Sequence, residues 1–184
     1  MTHDDVRWLS WQEQAVWLRI LAVLELLPST LDSQLRRSAK LTLTEYYVLA
    51  MLSHHPGKRL QTKQLAVRTN TTLSRLSRVI TRLESEGLVA RAANTADARA
   101  TDVVLTESGL ERLGQAAPEH VALVRKLIFD PQDASGTADL LRVTEAMLNV
   151  LDPDKRMHRD PIQALLPPGE DAVRNEDSEP PAKH

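Results

Sequence analysis

Three arginines recur at spacings of three and four residues within segment 72–86: Arg75, Arg78 and Arg82. Residues three and four apart share one face of an α-helix, so this spacing predicts a basic stripe. An arginine can bind guanine O6 and N7 through two hydrogen bonds, and the DNA major groove is wide enough to admit a helix. Thr72 and Ser74 stand at the predicted helix start, where free backbone N–H groups favour a phosphate. This pattern suits DNA recognition.

The opposite face of the same segment is apolar: Leu76, Val79, Ile80 and Leu83. Taken alone, this arrangement is equally typical of an ordinary surface helix with solvated arginines. The surrounding charge favours DNA recognition. Residues 58–99 hold nine basic and three acidic side chains, a net charge of +6 in a chain whose overall charge is −2. A basic block in an acidic protein is expected where one surface faces phosphates.

The sequence gives little support for catalysis, disulfide bonds or metal binding. The absence of cysteine excludes disulfides, thiolate catalysis and Cys-ligated zinc. No Gly-rich phosphate loop, nucleophile elbow or zinc-protease helix occurs, so we predict neither an enzyme nor a cofactor. His54 and His55 are adjacent and would point about 100° apart on a helix, which argues against a shared metal ion. Glu119 and His120 are predicted to be surface residues.

The predicted helices follow the period of their apolar residues. They cover residues 11–39, 42–54, 62–68, 72–86, 106–129 and 136–151. Pro28 predicts a kink or a short break in the first helix, and Pro118 a bend in the fifth. Thr42 and Glu45 match a capping box at the start of the second helix. Gly87 ends the fourth helix, because glycine tolerates the left-handed conformation common there.

Two short strands, 88–91 and 101–105, enclose a polar connection at 92–100. The order of helix, turn, basic helix, strand, loop and strand predicts a winged helix-turn-helix, and a fold that is mainly α with a small β-wing. The sequence predicts four units. They are an N-terminal dimerisation helix (1–40), a DNA-binding lobe (41–106), two C-terminal dimerisation helices (107–152) and a Pro- and acid-rich tail (153–184). Six of the ten prolines follow Asp152, so we predict that the tail is disordered.

Five short motifs, in order, resemble the MarR family of bacterial regulators. They are LTEYYVLAML at 43–52, Gln64-Leu65-Ala66, LESEGLV at 83–89, Asp97-x-Arg99 and Leu105-Thr106-x-x-Gly109. The resemblance extends over about residues 11–151. It implies that Arg99 enters the DNA minor groove from the wing while Asp97 orients it. Three departures concern Ala98, where many members have a second arginine, the wing tip Asn94-Thr95-Ala96, which lacks the usual extra charge, and Asn70, where an apolar residue is common.

The resemblance also implies a homodimer in which the first helix and the last two helices of both subunits interleave, and a palindromic operator. The protein would be a repressor that acts in the bacterial cytoplasm, at the nucleoid, and that a small aromatic or anionic effector releases or retunes. The candidate residues for the effector pocket are Trp17, Arg19, Tyr46, Tyr47 and His54. Those for DNA are Thr72, Ser74, Arg75, Arg78, Arg82, Asp97 and Arg99.

One alternative remains open at this point: a winged-helix adaptor that binds another protein and has no sequence-specific affinity for DNA. The arginine-lined helix argues against it, because an adaptor has no need of one. We also find no apolar run of the roughly 20 residues that a membrane-spanning helix needs. The acidic start, Met1-Thr-His-Asp-Asp, is unlike a signal peptide. We therefore expect a soluble protein.

Overall fold

A computed structural model describes residues 6–94 and 100–154 of the chain. Within these ranges it contains six α-helices and a three-stranded sheet. The predicted tail after residue 154 and the wing residues Asp97 and Arg99 lie outside the described residues. The following paragraphs therefore concern the helical body and the base of the wing.

The first helix, α1 (Trp11–Ser38), begins with a capping box that the sequence analysis did not predict. Glu13 N donates to Ser10 Oγ, and Ser10 N donates to the Glu13 carboxylate. The helix continues through Pro28, so the predicted break is wrong. Proline removes one backbone donor there, while the hydroxyls of Ser29 and Thr30 both donate to the Leu26 carbonyl. The carbonyl left without its backbone donor is that of Leu24, and this turn is exposed to solvent.

The DNA-binding lobe starts with α2 (Leu43–His54), which Thr42 and Glu45 cap reciprocally as predicted. A 3₁₀ turn (Pro56–Lys58) and a three-residue strand, β1 (Arg59–Gln61), connect it to α3 (Thr62–Arg68). Then follow α4 (Leu73–Ser85), β2 (Val89–Ala93) and β3 (Thr101–Leu105). The sheet is antiparallel with the order β1-β3-β2. Strand β1 was not predicted.

The last two helices are α5 (Glu107–Val124), which continues as a π-helical segment (Arg125–Phe129), and α6 (Ala134–Leu151). Helix α5 also runs through its proline, Pro118. Asp133 caps α6, which begins two residues before the predicted start. His120 on α5 is buried, so its prediction as a surface residue is wrong.

The core lies inside the lobe, where α2, α3, α4 and the start of α5 pack against the sheet. Its largest fully buried residues are Leu35, Leu41, Leu49, Leu52, Leu65, Leu76, Ile80 and Leu83. Only the end of α1 reaches this core, through Leu31 and Leu35. The rest of α1 is exposed and apolar. By length and composition it could cross a membrane, which corrects the expectation that no segment could.

Candidate nucleic-acid interface

The face of α4 that carries the arginines is exposed, while the opposite face is fixed in the core. Leu76, Ile80 and Leu83 are at most 1% exposed. Thr72 caps the helix, with its Oγ1 accepting a hydrogen bond from Arg75 N at 3.3 Å. The Ser74 hydroxyl lies 3.3 Å from the same Thr72 oxygen. The start of α4 therefore presents two hydroxyls and an oriented set of backbone N–H groups to solvent.

Arg75 and Arg78 are exposed, and neither guanidinium has a hydrogen bond or an ion pair within the described part of the chain. Guanidinium groups free of internal partners can bind phosphates or base edges without first breaking a contact. Both residues lie in the first half of the helix, the end that enters the groove in helix-turn-helix proteins. This half of α4 has the geometry that DNA recognition requires.

Arg82 is in a different situation, since carboxylates already hold its guanidinium. Its Nε lies 3.3 Å from Glu45 Oε1 and 3.2 Å from Glu86 Oε1. Glu45 is buried, with a side chain that is only 4% exposed. Arg82 was predicted to contact DNA because its helical spacing places it on the same face as Arg75 and Arg78. Spacing alone could not reveal a buried carboxylate supplied by another helix.

The turn before α4 depends on a left-handed residue. Asn70 has φ = +46°, a conformation that asparagine adopts more easily than most residues. Thr71 N then donates to the Ala66 carbonyl at 2.9 Å, and Thr69 Oγ1 donates to the Leu65 carbonyl at 2.8 Å. The departure at Asn70 thus fits the turn, because an apolar side chain there would be strained at this φ.

The base of the wing is held by Asp102, a residue that the sequence analysis missed. This buried carboxylate accepts hydrogen bonds from Arg59 Nε and the Arg59 terminal nitrogen, at 3.0 and 2.7 Å, and from Asn94 Nδ2 at 2.8 Å. Hydrogen bonds from Asn94 and Arg59 hold the pKa of Asp102 below its ordinary value, against the opposing effect of burial. A charged Asp102 thereby ties β1 to both sides of the loop that carries Asp97 and Arg99.

The candidate effector residues do not form one site. Tyr46 and Tyr47 have ring centroids 6.4 Å apart, and burial raises the pKa of both phenols. Trp17 is exposed on α1, and Arg19 there donates to a carbonyl of its own helix, that of Ala15. His54 is exposed at the end of α2. The structure brings together only the two tyrosines.

A residue outside that set, His120, lies against Tyr46 with the ring centroids 4.4 Å apart. It is 6% exposed, and its Nδ1 has no hydrogen-bond partner within the described part of the chain. Burial lowers the pKa of His120, which favours the neutral ring. Its period along α5, following Leu113 and Ala116, could have indicated an inward position.

The larger cavities also lie away from the candidate effector residues. One of about 650 Å³ borders the turn between α3 and α4 and the end of α6, and one of about 540 Å³ lies between α3, α4 and the wing strands. No group of three or more His, Asp or Glu side chains that could hold a metal ion occurs among residues 6–94 and 100–154. The described part of the site offers arginines, hydroxyls and backbone N–H groups.

Comparison with known proteins agrees with this geometry. A profile of the MarR family matches residues 39–100. The chain is 35% identical to Sco3205, a MarR family transcriptional regulator from Streptomyces coelicolor solved in complex with DNA. Their structures superimpose with a TM-score of 0.77, and the match covers 83% of this chain and 96% of that one.

A second regulator of this family from Streptomyces coelicolor, AbsC, is 36% identical, with a TM-score of 0.74 over 79% of this chain and 98% of AbsC. PcaV from the same organism, solved with its natural ligand, is 20% identical and shares the fold, with a TM-score of 0.59 over 71% of this chain and 92% of PcaV. No curated protein sequence matches the chain.

Proposed function

The chain belongs to the MarR family of transcriptional regulators, and we propose that it binds a palindromic operator as a homodimer and represses transcription there. Members of this family are DNA-binding regulators and not enzymes, and they are soluble cytoplasmic proteins. Association with the nucleoid follows from the proposal, because the operator is chromosomal DNA.

One observation carries the proposal: the first half of α4 presents Thr72, Ser74, Arg75 and Arg78 to solvent, while its other face is locked in the core. A rigid helix loses little conformational freedom when it enters the major groove. We assign Arg75 and Arg78 to base edges or adjacent phosphates. The two hydroxyls and the helix start are assigned to a phosphate.

The wing supplies the second contact in this proposal. Asp97 and Arg99 lie outside the described residues, so their roles rest on the family motif. Support comes from the base of the wing, where Asp102 fixes both ends of the connecting loop. A narrow minor groove attracts an arginine electrostatically, which suits the role that the family motif gives Arg99.

The homodimer is supported by apolar surface that one chain leaves uncovered. Trp11, Val16, Trp17, Leu18, Val23, Leu24 and Leu26 on α1 are exposed, as are Leu141, Val143, Val150 and Leu151 on α6. Exposed apolar residues in this number favour an interaction site in a soluble protein. A two-fold axis between these helices would place two copies of α4 at half-sites about 34–36 Å apart.

A small aromatic or anionic effector is proposed to act where the dimerisation helices meet the lobe. Tyr46 and Tyr47 support this location, because they lie together on α2 beside α5. Trp17, Arg19 and His54 stay weaker candidates, since they are exposed on a single chain and would join such a site only through dimerisation. The chemical identity of the effector is left open.

The test begins with selection of genomic fragments by the full chain, followed by anisotropy titrations with the selected duplex over a range of salt concentrations. Arg75→Ala should weaken operator binding by about 1–3 kcal/mol and relax base preference at one position of each half-site. Arg99→Ala should weaken binding and lower its salt dependence. The control is Arg142→Ala on α6, which removes the same charge outside the proposed DNA interface, and its sedimentation should show an intact dimer.

Sedimentation of the same samples should give twice the 20.6 kDa mass of the chain. A dimer that selects no fragment, or that shows no salt-sensitive affinity for any, would contradict the proposal. Co-purification with a protein partner and without nucleic acid would favour the adaptor.

A further inference from the structure

Four side chains join α4 to the corner between α1 and α2. We call them the corner clasp: Glu45 of α2, Arg82 and Glu86 of the α4 end, and Arg112 of α5. Arg82 contacts both carboxylates, and its terminal nitrogen lies 3.5 Å from the Lys40 carbonyl. Arg112 donates to the carbonyl of Ala39 at 3.2 Å and lies 3.9 Å from Glu86.

The corner itself is a constrained piece of backbone. Lys40 has φ = +60°, a left-handed conformation that is uncommon for a residue with a long side chain. The carbonyls of Ala39 and Lys40 lie beyond the last turn of α1, and each receives an arginine from a different helix. Asp32 of α1 accepts a hydrogen bond from Leu43 N at 2.8 Å, which closes the corner on its other side. The end of α1 is thus linked to both α4 and α5.

Glu45 has two roles in this arrangement. Its Oε2 accepts a hydrogen bond from Thr42 N at 2.7 Å, which completes the cap of α2. Its Oε1 faces Arg82 at 3.3 Å. A carboxylate that is 4% exposed requires a compensating charge, because burial of an unpaired charge is costly. Of the arginines on α4, it is Arg82 that supplies this charge.

We propose that Arg82 is a positioning residue: it holds α4 at a fixed angle to the α1–α2 corner and does not contact DNA. The inference rests on the proposed function and replaces the sequence-based assignment of Arg82 to the DNA contacts. Ten residues separate Arg82 from Thr72, a distance of about 15 Å along the helix. Arg82 therefore lies toward the opposite end of α4 from the part assigned to the groove.

The angle matters because α1 is the helix that the partner subunit would cover. In a dimer built on α1, the corner clasp relates each recognition helix to the two-fold axis. Both helices must enter half-sites at a fixed spacing, and a rotation about the corner would misplace one of them. Non-specific binding through phosphates has no such requirement. Loss of the clasp should therefore lower affinity for the operator more than affinity for random DNA.

The experiment compares Arg82→Gln with Arg78→Gln, a matched loss of charge one turn earlier on the same helix. Arg82→Gln should weaken operator binding about tenfold, a size typical of a lost coupling between contacting charges. It should leave binding to a scrambled duplex and the salt slope unchanged. Arg78→Gln should weaken binding to both duplexes and reduce the salt slope by about one.

Two further variants separate a positioning role from a phosphate contact. Glu45→Gln keeps the α2 cap, because glutamine also completes a capping box, and removes only the charge that faces Arg82. It should give the same loss as Arg82→Gln, and the double variant should lose no more than either single one. Arg82→Lys should fail to restore the operator affinity, because one ammonium cannot reproduce the fork of contacts.

A reduced salt slope in Arg82→Gln, or full operator affinity in Arg82→Lys, would overturn the proposal in favour of a phosphate contact. A stability measurement keeps the test independent of the proposed function. Urea unfolding of the two single variants and the double variant should show a non-additive coupling between Glu45 and Arg82 even if the full chain binds no operator. Additive effects on both stability and binding would also overturn the proposal.

Discussion

Substitution of Gly109 by alanine tests how the lobe is joined to the dimerisation helices. Gly109 lies in the first turn of α5, where the helix crosses the start of β2. A Cβ atom there would lie 2.0 Å from the Leu88 carbonyl oxygen and 2.7 Å from a methyl group of Leu105. Neither distance is possible without movement, and the closer atom belongs to the backbone. This approach explains why the Leu-Thr-x-x-Gly motif needs glycine.

The cost follows from the contacts that must shift. Thr106 Oγ1 donates to the Gly87 carbonyl at 2.8 Å and accepts from Gly109 N at 3.0 Å, while Thr106 N donates to the Leu88 carbonyl at 3.2 Å. Overpacking costs about 1–3 kcal/mol and loss of a helix cap about 1 kcal/mol. The higher helix propensity of alanine returns at most about 1 kcal/mol. We expect the free energy of unfolding to fall by about 1–3 kcal/mol.

Urea unfolding followed by circular dichroism gives this quantity, at equal protein concentrations because dimerisation makes stability concentration-dependent. The matched control is Gly114→Ala in the same helix, where an added Cβ meets nothing within 4 Å. It should stabilise the protein by up to about 1 kcal/mol. Equal stability of the two variants would refute the steric reasoning.

Two further predictions concern buried titratable groups. Asp102→Asn should destabilise the lobe by about 1–3 kcal/mol, because Arg59 loses its carboxylate partner. Since Asn94 and Arg59 lower the pKa of Asp102, its contribution should be complete above the ordinary value of 3.8 and disappear as the pH falls through the lower folded value, in an acid titration of stability. His120→Phe should flatten the decline of stability below the ordinary pKa of 6.5. Burial lowers the pKa of His120 in the folded protein, so as the pH falls the His120 ring takes up a proton in the unfolded chain before it does so in the folded one, and the wild type loses stability. An equally steep decline in the variant would show that groups other than His120 cause the loss of stability.

The sequence predicts α2, α4 and α5 well because each has a capping or ending residue as well as an apolar period. Thr42, Thr72, Thr106 and Gly87 all have the predicted roles. Strand β1 was not predicted because its three residues are too few to show an alternating pattern. Its pairing partner, β3, also lies 40 residues later in the chain. No break occurs at Pro28, where the helix is continuous and exposed to solvent.

The site is predicted less completely, since its chemistry depends on contacts between distant elements. Arg75, Arg78 and Arg82 are equivalent by spacing, and only Glu45 on another helix separates the third from the first two. From the sequence, Asp102 is only one residue of a short strand. Its role depends on the ion pair with Arg59 of β1, which the sequence does not reveal. A residue's position on its own helix or strand was predictable in each case, whereas its partner was not.

The exposed apolar face of α1 has two physical explanations, a membrane and a second copy of the chain. A membrane would account only for α1, the one helix among the described residues long and apolar enough to span it. Similar exposure recurs on α5 at Val121 and on α6 at Leu141 and Val150, and α6 also carries the charged pair Arg142 and Asp139. A second copy in the proposed dimer would cover all three helices at once. The apolar surface of α1 is long enough to cross a membrane, but the proposed dimer explains it better. In that dimer, the same surface holds two recognition helices at one operator.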